Sequence, residues 1–176
     1  FEHARNYLSA RVLSAKLMLK HKTKKHDIEM AYTYKKEHIS ENSVEYEMRD
    51  SAGYSVPHNG KELYMIYSMR ANNTLDANRM EAYLQDTYRF TSKGGHTHFT
   101  LNYGVRMSHW SFNKETIVSP RVSLGIIPAY SENTTFRFAA GLYYQAPFFK
   151  ELRDTSTVNG ITYANLNEKI KSPRSI

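Results

Sequence analysis

The stretch from Thr135 to Gln145, TFRFAAGLYYQ, decides the fold. At alternate positions Phe136, Phe138, Ala140, Leu142 and Tyr144 make one face, and Thr135, Arg137, Ala139, Gly141, Tyr143 and Gln145 make the other. Successive side chains of a pleated strand point to opposite sides, so the segment is a strand with an apolar face backed by a polar and small one. Helical spacing would mix the two sets. Upstream, Val118, Val122, Leu124 and Ile126 oppose Ser119, Arg121, Ser123 and Gly125. Before them Phe99, Leu101, Tyr103, Val105 and Met107 oppose His98, Thr100, Asn102, Gly104, Arg106 and Ser108, and Ile28, Met30, Tyr32 and Tyr34 oppose Glu29, Ala31, Thr33 and Lys35. Two less regular strands are expected at Tyr7 to His21 and Arg79 to Thr91. Asp86 falls on the apolar face of the latter, a fault that a one-residue bulge would correct. Pro120 cannot donate to a strand ladder and belongs at a strand start, an edge or a bulge.

The strands so delimited exceed the roughly 5 to 6 residues at which soluble strands centre, and reach the about 9 to 11 that a tilted membrane strand needs. Short connections at Lys22 to Lys25, Ser92 to His96 and Pro128 to Glu132 alternate with longer ones at Ile39 to Asn78, Ser111 to Glu115 and beyond Ala146. Short periplasmic turns and longer outer loops give a membrane barrel this parity, which a soluble sandwich has no reason to keep. Tyr7, Tyr34, Tyr88, Tyr130 and Tyr144 fall near the expected strand ends, where an amphipathic ring suits lipid headgroups. The Ile39 to Asn78 connection carries alternation of its own at Leu63, Met65, Tyr67 and Met69, with turn chemistry at Gly53 and Asn59-Gly60. It reads as a protruding hairpin. Connections this long are usually functional, which makes it a place for contact with ligand or with a surface lipoprotein.

Composition agrees. The 176 residues are 40% hydrophobic with 14 tyrosines and no cysteine, and the mean hydropathy of −0.64 excludes a bundle of membrane helices. It does not exclude a barrel, in which only alternate residues touch lipid. The net charge of +7 comes from 24 basic and 17 acidic residues, dispersed except around Lys20 to Lys25, so nucleic acid is not indicated. Lys22-Thr23-Lys24-Lys25 reads as a solvated turn. The chain begins at Phe1 without a basic-then-apolar leader, so an export signal is expected to have been removed or to lie outside this stretch. About six strands cannot close where single-chain bacterial barrels start at about 8, and open edges in lipid cost several kcal/mol per unpaired group. Residues 1–176 are therefore expected to be one segment of a longer barrel, incomplete at both ends.

The run SPRVSLGIIPAYSENTTFRFAAGLYYQAPFFKELRD, Ser119 to Asp154, resembles the middle of the barrel of TonB-dependent outer-membrane receptors. The features that carry the likeness are Ser119-Pro120-Arg121, Pro128, Gly141 to Gln145 and Pro147. YLQDTYRF (Tyr83 to Phe90) and NYGVRMSHW (Asn102 to Trp110) look like the two preceding strands, and NLNEKIKSPRSI (Asn165 to Ile176) like the lead-in to the next. The resemblance covers residues 76–176 well and residues 5–40 by pattern only. It implies an all-β fold, an antiparallel up-and-down meander of long tilted strands within a large transmembrane β-barrel of about 22 strands plugged by a separate domain. It also implies uptake of a large scarce nutrient of siderophore, cobalamin or glycan type across the bacterial outer membrane, coupled through TonB. Plug and TonB box lie outside this sequence. A passive porin or adhesin and a soluble carbohydrate-binding β-sandwich are the alternatives.

In that setting Arg106, Arg121 and Arg137, on the polar faces of three consecutive strands, are expected to face the lumen and pair with acidic groups of plug or wall, or with ligand. Gln145, Phe148, Phe149 and Arg153 lie at an outward strand end and the loop after it, and are the candidate ligand contacts. His96 and His98 share a strand face, but without cysteine or a closely spaced carboxylate they do not make a metal site. The remaining histidines, His3, His21, His26, His38, His58 and His109, are scattered. With no phosphate loop, nucleophile elbow or zinc-protease helix, no enzyme and no cofactor is expected.

Overall fold

The computed structural model describes residues 2–49, 64–131 and 133–175, and these are all-β apart from one 3₁₀ turn at Phe149–Leu152. The strands are β1 (Glu2–Lys22), β2 (His26–Arg49), β3 (Tyr64–Thr91), β4 (His98–Trp110), β5 (Glu115–Ile127), β6 (Phe136–Gly141), β7 (Tyr143–Tyr144), β8 (Arg153–Val158), β9 (Ile161–Leu166) and β10 (Arg174–Ser175). β1 to β6 are neighbours in chain order, the up-and-down meander expected from the alternation.

The chain divides into two compact units. The first comprises Leu13–Lys36, Ala77–Pro147 and Lys171–Ile176. Its registers are antiparallel and unbroken, Arg79 to Thr91 against Trp110 to His98, and His98 to Trp110 against Ile127 to Glu115. Rows of facing residues therefore cross the sheet. On one side run Phe90, Phe99, Ile126 and Phe136, then Tyr88, Leu101, Leu124 and Phe138, and Leu84, Val105 and Pro120 follow further along. Met30, Leu84, Val105, Met107, Val118, Val122, Phe136 and Phe138 on this side are exposed. A water-soluble sheet hides that face against another layer. Here the apolar side is bare and the polar side is the hydrogen-bonded one, the arrangement of a barrel wall in lipid.

Four local readings change. Asp86 needs no bulge, because the β3–β4 register runs through it and sets it opposite Tyr103 on the apolar face. It is held there by the His26 Nδ1 and the Tyr103 hydroxyl, each 2.7 Å from Oδ2. Pro120 sits inside β5 rather than at its start. Its carbonyl accepts the Leu142 N–H at 3.0 Å, and with no N–H to return, the ladder to β6 stops there. The expected strand from Thr135 to Gln145 is accordingly broken at Leu142, and β7 turns to pair with β10. Parity fails at one connection as well. The Ser111–Lys114 turn between β4 and β5 is shorter than the segments joining β3 to β4 and β5 to β6. Lys114 closes it at a φ of 51°, and the Asn78 and Ser111 backbones and the Ser111 hydroxyl tie its base.

The second unit comprises Phe1–Val12, Glu37–Asp76 and Phe148–Ile170. Much of the expected Ile39 to Asn78 connection is strand, since β2 continues to Arg49 and β3 begins at Tyr64, as the alternation at Met65, Tyr67 and Met69 required. The turn chemistry at Gly53 and Asn59-Gly60, together with Leu63, lies outside the described residues. Because β1 begins at Glu2 and β2 runs on, Tyr7 and Tyr34 sit within strands rather than at their ends. The β4 ladder covers β3 only from Arg79, and β9 takes an earlier stretch in the one parallel pairing among the described residues, Met69–Ala71 against Thr162–Ala164. Capping an exposed strand edge in this way removes a template for aggregation. β8 and β9 form a two-residue hairpin in which Asn159 (φ 51°) and Gly160 (φ 78°) both adopt the left-handed conformation that such a turn demands.

Candidate functional site

On the polar side of the first unit, facing residues form the rows Tyr83–Arg106–Ser119, Gln85–Gly104–Arg121–Gly141, Thr87–Asn102–Ser123–Ala139 and Arg89–Thr100–Gly125–Arg137. Arg106, Arg121 and Arg137 thus share one face and descend it strand by strand, as a staircase of positive charge. Each has a different environment. Arg106 donates to Glu81 at 2.6 Å, and Glu81 also lies 3.6 Å from Lys35. The Arg121 guanidinium stacks over the Tyr143 ring, 4.7 Å from its centroid. Arg137 is exposed and has no ion-pair partner among the described residues. Arg106 thus meets a carboxylate of its own sheet, while Arg121 and Arg137 have no ion pair among the described residues.

Between them the sheet carries a depression of about 390 Å³ lined by Tyr83, Gln85, Asn102, Arg106, Arg121 and Ser123. Gly104 floors it, and nothing larger fits there. A Cβ at this position would stand 2.7 Å from the Leu84 carbonyl oxygen and 3.0 Å from the Gln85 Cα. The rest of the wall is cross-linked, with Thr87 donating to Asn102 at 2.7 Å, Asn102 to Ser123 at 3.2 Å, and Lys20 and Tyr83 both to Glu29. Such a surface offers hydrogen bonds and the Arg121 cation on a stiff backing.

Of the loop candidates, Gln145 belongs to the first unit, where its N–H donates to the Pro173 carbonyl and its side chain is exposed. Phe148, Phe149 and Arg153 belong to the second. Phe148 is 63% exposed, and its N–H is held by Glu151 at 2.8 Å, so the ring is presented from a fixed backbone. Arg153 is already engaged: it donates to the Glu41 carboxylate, which is only 2% exposed. The Asn73 amide donates to Glu41 at 3.2 Å and to the Ala164 carbonyl at 3.0 Å, binding β2, β3, β8 and β9 into one cluster. Glu41 and Asn73 were not foreseen, since an isolated polar residue in a strand does not announce its burial. Asn159-Gly160 between two short runs is the sequence signal that marks the hairpin. His98 faces Thr91, with 3.2 Å between Nδ1 and Oγ1.

At the loop end of β5, outside the apolar band, Glu115 gathers the segment that leads into β10. It accepts the Ser172 hydroxyl at 2.7 Å, the Ser172 N–H at 3.1 Å and the Asn113 amide at 3.1 Å. Burial pushes its carboxyl up, but these hydrogen bonds and the nearby Lys171 charge outweigh it and hold the group below the ordinary range. A carboxyl lowered by folding contributes stability that is whole above the unfolded value, about 4.3, and is lost as pH falls through the folded one. Exchange protection of the Ser172 amide, corrected for intrinsic rates, is expected to be flat from pH 8 to 5 and to drop only under more acid conditions. Glu115→Gln should abolish that acid step, and a transition near neutrality would contradict the assignment.

Comparison with known proteins bears on this arrangement directly. No curated protein and no solved structure matches the chain. The family described as TonB dependent receptor-like, beta-barrel matches residues 4–175. That family is one of bacterial outer-membrane transport receptors rather than enzymes, and its members in general work with a plug domain and TonB coupling. With a bare apolar face, a cross-linked polar face and a match running through nearly every described strand, the chain belongs to the TonB-dependent receptor-like β-barrel family.

Proposed function

We propose that this chain forms wall and outer loops of an outer-membrane active-transport receptor, in the bacterial outer membrane, taking up a large scarce nutrient of siderophore, cobalamin or glycan type. The observation that carries the proposal is the inverted sheet of the first unit, with apolar residues bare on one face of β3 to β6 and polar residues bonded on the other. Lipid would meet the first face; the receptor's own plug, or a ligand passing it, would meet the second. Arg121 and Arg137 are then the wall cations for an acidic group, and Phe148, Phe149 and Gln145 the residues that meet ligand first. Arg153 acts by fixing the hairpin that follows them, and a surface lipoprotein would dock on the same outer loops. Among the described residues no second sheet covers the apolar face, which removes support for a soluble sandwich.

The test is uptake by cells expressing the full-length receptor, supplied with ferric siderophores, cobalamin and oligosaccharides as separate panels. Receptor in the outer-membrane fraction and uptake of one class, abolished by a protonophore, are expected. Arg121→Ala with Arg137→Ala should reduce uptake while leaving the amount of membrane-inserted receptor unchanged. Uptake indifferent to the protonophore would mark a passive pore, and a soluble product would overturn the reading.

A further inference from the structure

We propose that the end of the sheet carrying the β1–β2 and β3–β4 turns holds the headgroup of an anionic phospholipid. The inference rests on the barrel reading above and adds a ligand site to it. Two observations meet there. Along the bare apolar face, the rings of His26, Tyr88, Phe90 and Phe99 form an unbroken stack with centroid spacings of 4.6, 5.1 and 4.8 Å. Aromatic rings in such a row suit the boundary between acyl chains and headgroups. Just beyond it are the two turns, and the Arg89 N–H donates to the Lys25 carbonyl at 2.8 Å, so that the first turn is bonded to the end of β3.

The end of β1 and these turns carry Lys22, Lys24, Lys25 and Lys93, all exposed. Neither His21 to His26 nor Thr91 to His98 contains an acidic residue. The carboxylates beside them are committed, Asp27 4.0 Å from Arg89 and Glu29 2.7 Å from Lys20 on the polar face, and Asp86 on the apolar face to His26 and Tyr103. Four lysines without an ion pair among the described residues, gathered beside a lipid-facing aromatic row, are complementary to a headgroup that is both anionic and anchored by acyl chains. Lysine suits this task as a flexible point charge, and its attraction fades within about a Debye length, near 10 Å at 0.1 M salt.

The experiment uses the full-length receptor in phosphatidylcholine nanodiscs with and without phosphatidylglycerol. Wild type should enter both, gain several degrees in Tm from phosphatidylglycerol, and retain that lipid preferentially on extraction. The Lys22→Gln, Lys24→Gln, Lys25→Gln, Lys93→Gln variant should enter phosphatidylcholine discs with unchanged Tm and bind phosphatidylglycerol at least tenfold more weakly. Lys24→Glu alone should show a smaller loss of the same kind, so the proposal stays testable if the fourfold variant folds poorly. Failure of wild type to enter phosphatidylcholine discs would sink the barrel reading and this site with it. Entry with a phosphatidylglycerol response that ignores the substitutions would overturn the site alone. Lost uptake with an intact lipid response would also overturn it, assigning the lysines to a protein partner.

Discussion

Replacing Glu41 with alanine is expected to cost the unit that contains it about 3 to 5 kcal/mol, the usual consequence of leaving one member of a buried ion pair behind. Glu41 is 2% exposed, and the Arg153 guanidinium bonded to it already has an Nε buried without a partner. Without the carboxylate, Arg153 would keep its desolvation and lose its counter-charge, and Asn73 would lose one of its two acceptors. The β8–β9 hairpin should loosen first, seen as lost exchange protection between Arg153 and Leu166 and as protease cleavage near Asn159-Gly160. Glu41→Leu with Arg153→Met should be far less harmful than the sum of the single changes, because a buried pair is often replaced by apolar residues at little cost. A Glu41→Ala penalty under about 1 kcal/mol would show that the pair behaves as a surface one. The same reasoning separates the loop candidates. Arg153→Ala should weaken ligand capture by moving the hairpin, with several nearby positions affected together, whereas loss at exposed Phe148 should be confined to contact with the ligand.

The alternation in TFRFAAGLYYQ and its upstream counterparts was enough to place the meander, its two faces and the side on which each arginine stands, because a period of two survives any uncertainty about strand ends. Strand ends themselves were poorly specified. β2 and β3 run far into the expected Ile39 to Asn78 connection, where Glu41, Ser43 and Asn73 occupy buried positions that a pattern of apolar residues does not mark. The short Ser111–Lys114 turn depends on Lys114 accepting a left-handed conformation and on bonds to Asn78, both set by tertiary neighbours. Partners were hardest to foresee. Which carboxylate meets Arg106 depends on the β3–β4 register, and only that register brings Glu81, diagonal to it, within reach. The staircase was visible in the sequence as three residues; their unequal availability was not.

Asp86 offers the second large effect, and its sign depends on which partner is removed. The residue is 7% exposed on the apolar face, and one oxygen, Oδ1, is buried without a hydrogen bond. Its other oxygen accepts from His26 and Tyr103. His26→Ala takes the imidazole donor from a carboxylate set among apolar neighbours, and a loss of stability larger than that of Asp86→Leu is expected. It also removes the first ring of the aromatic stack. Asp86→Leu instead deletes the charge and continues the apolar row. The Tyr103 hydroxyl and the His26 ring each lose an acceptor, but the His26 side chain is 41% exposed and can turn to water. Asp86→Leu should therefore cost less than His26→Ala, and the double variant should resemble Asp86→Leu rather than His26→Ala. Urea unfolding of the reconstituted receptor measures all three. Equal damage from the two single substitutions would mean that Asp86 is needed for its charge, as a site for something cationic in the headgroup layer, rather than tolerated because His26 and Tyr103 satisfy it.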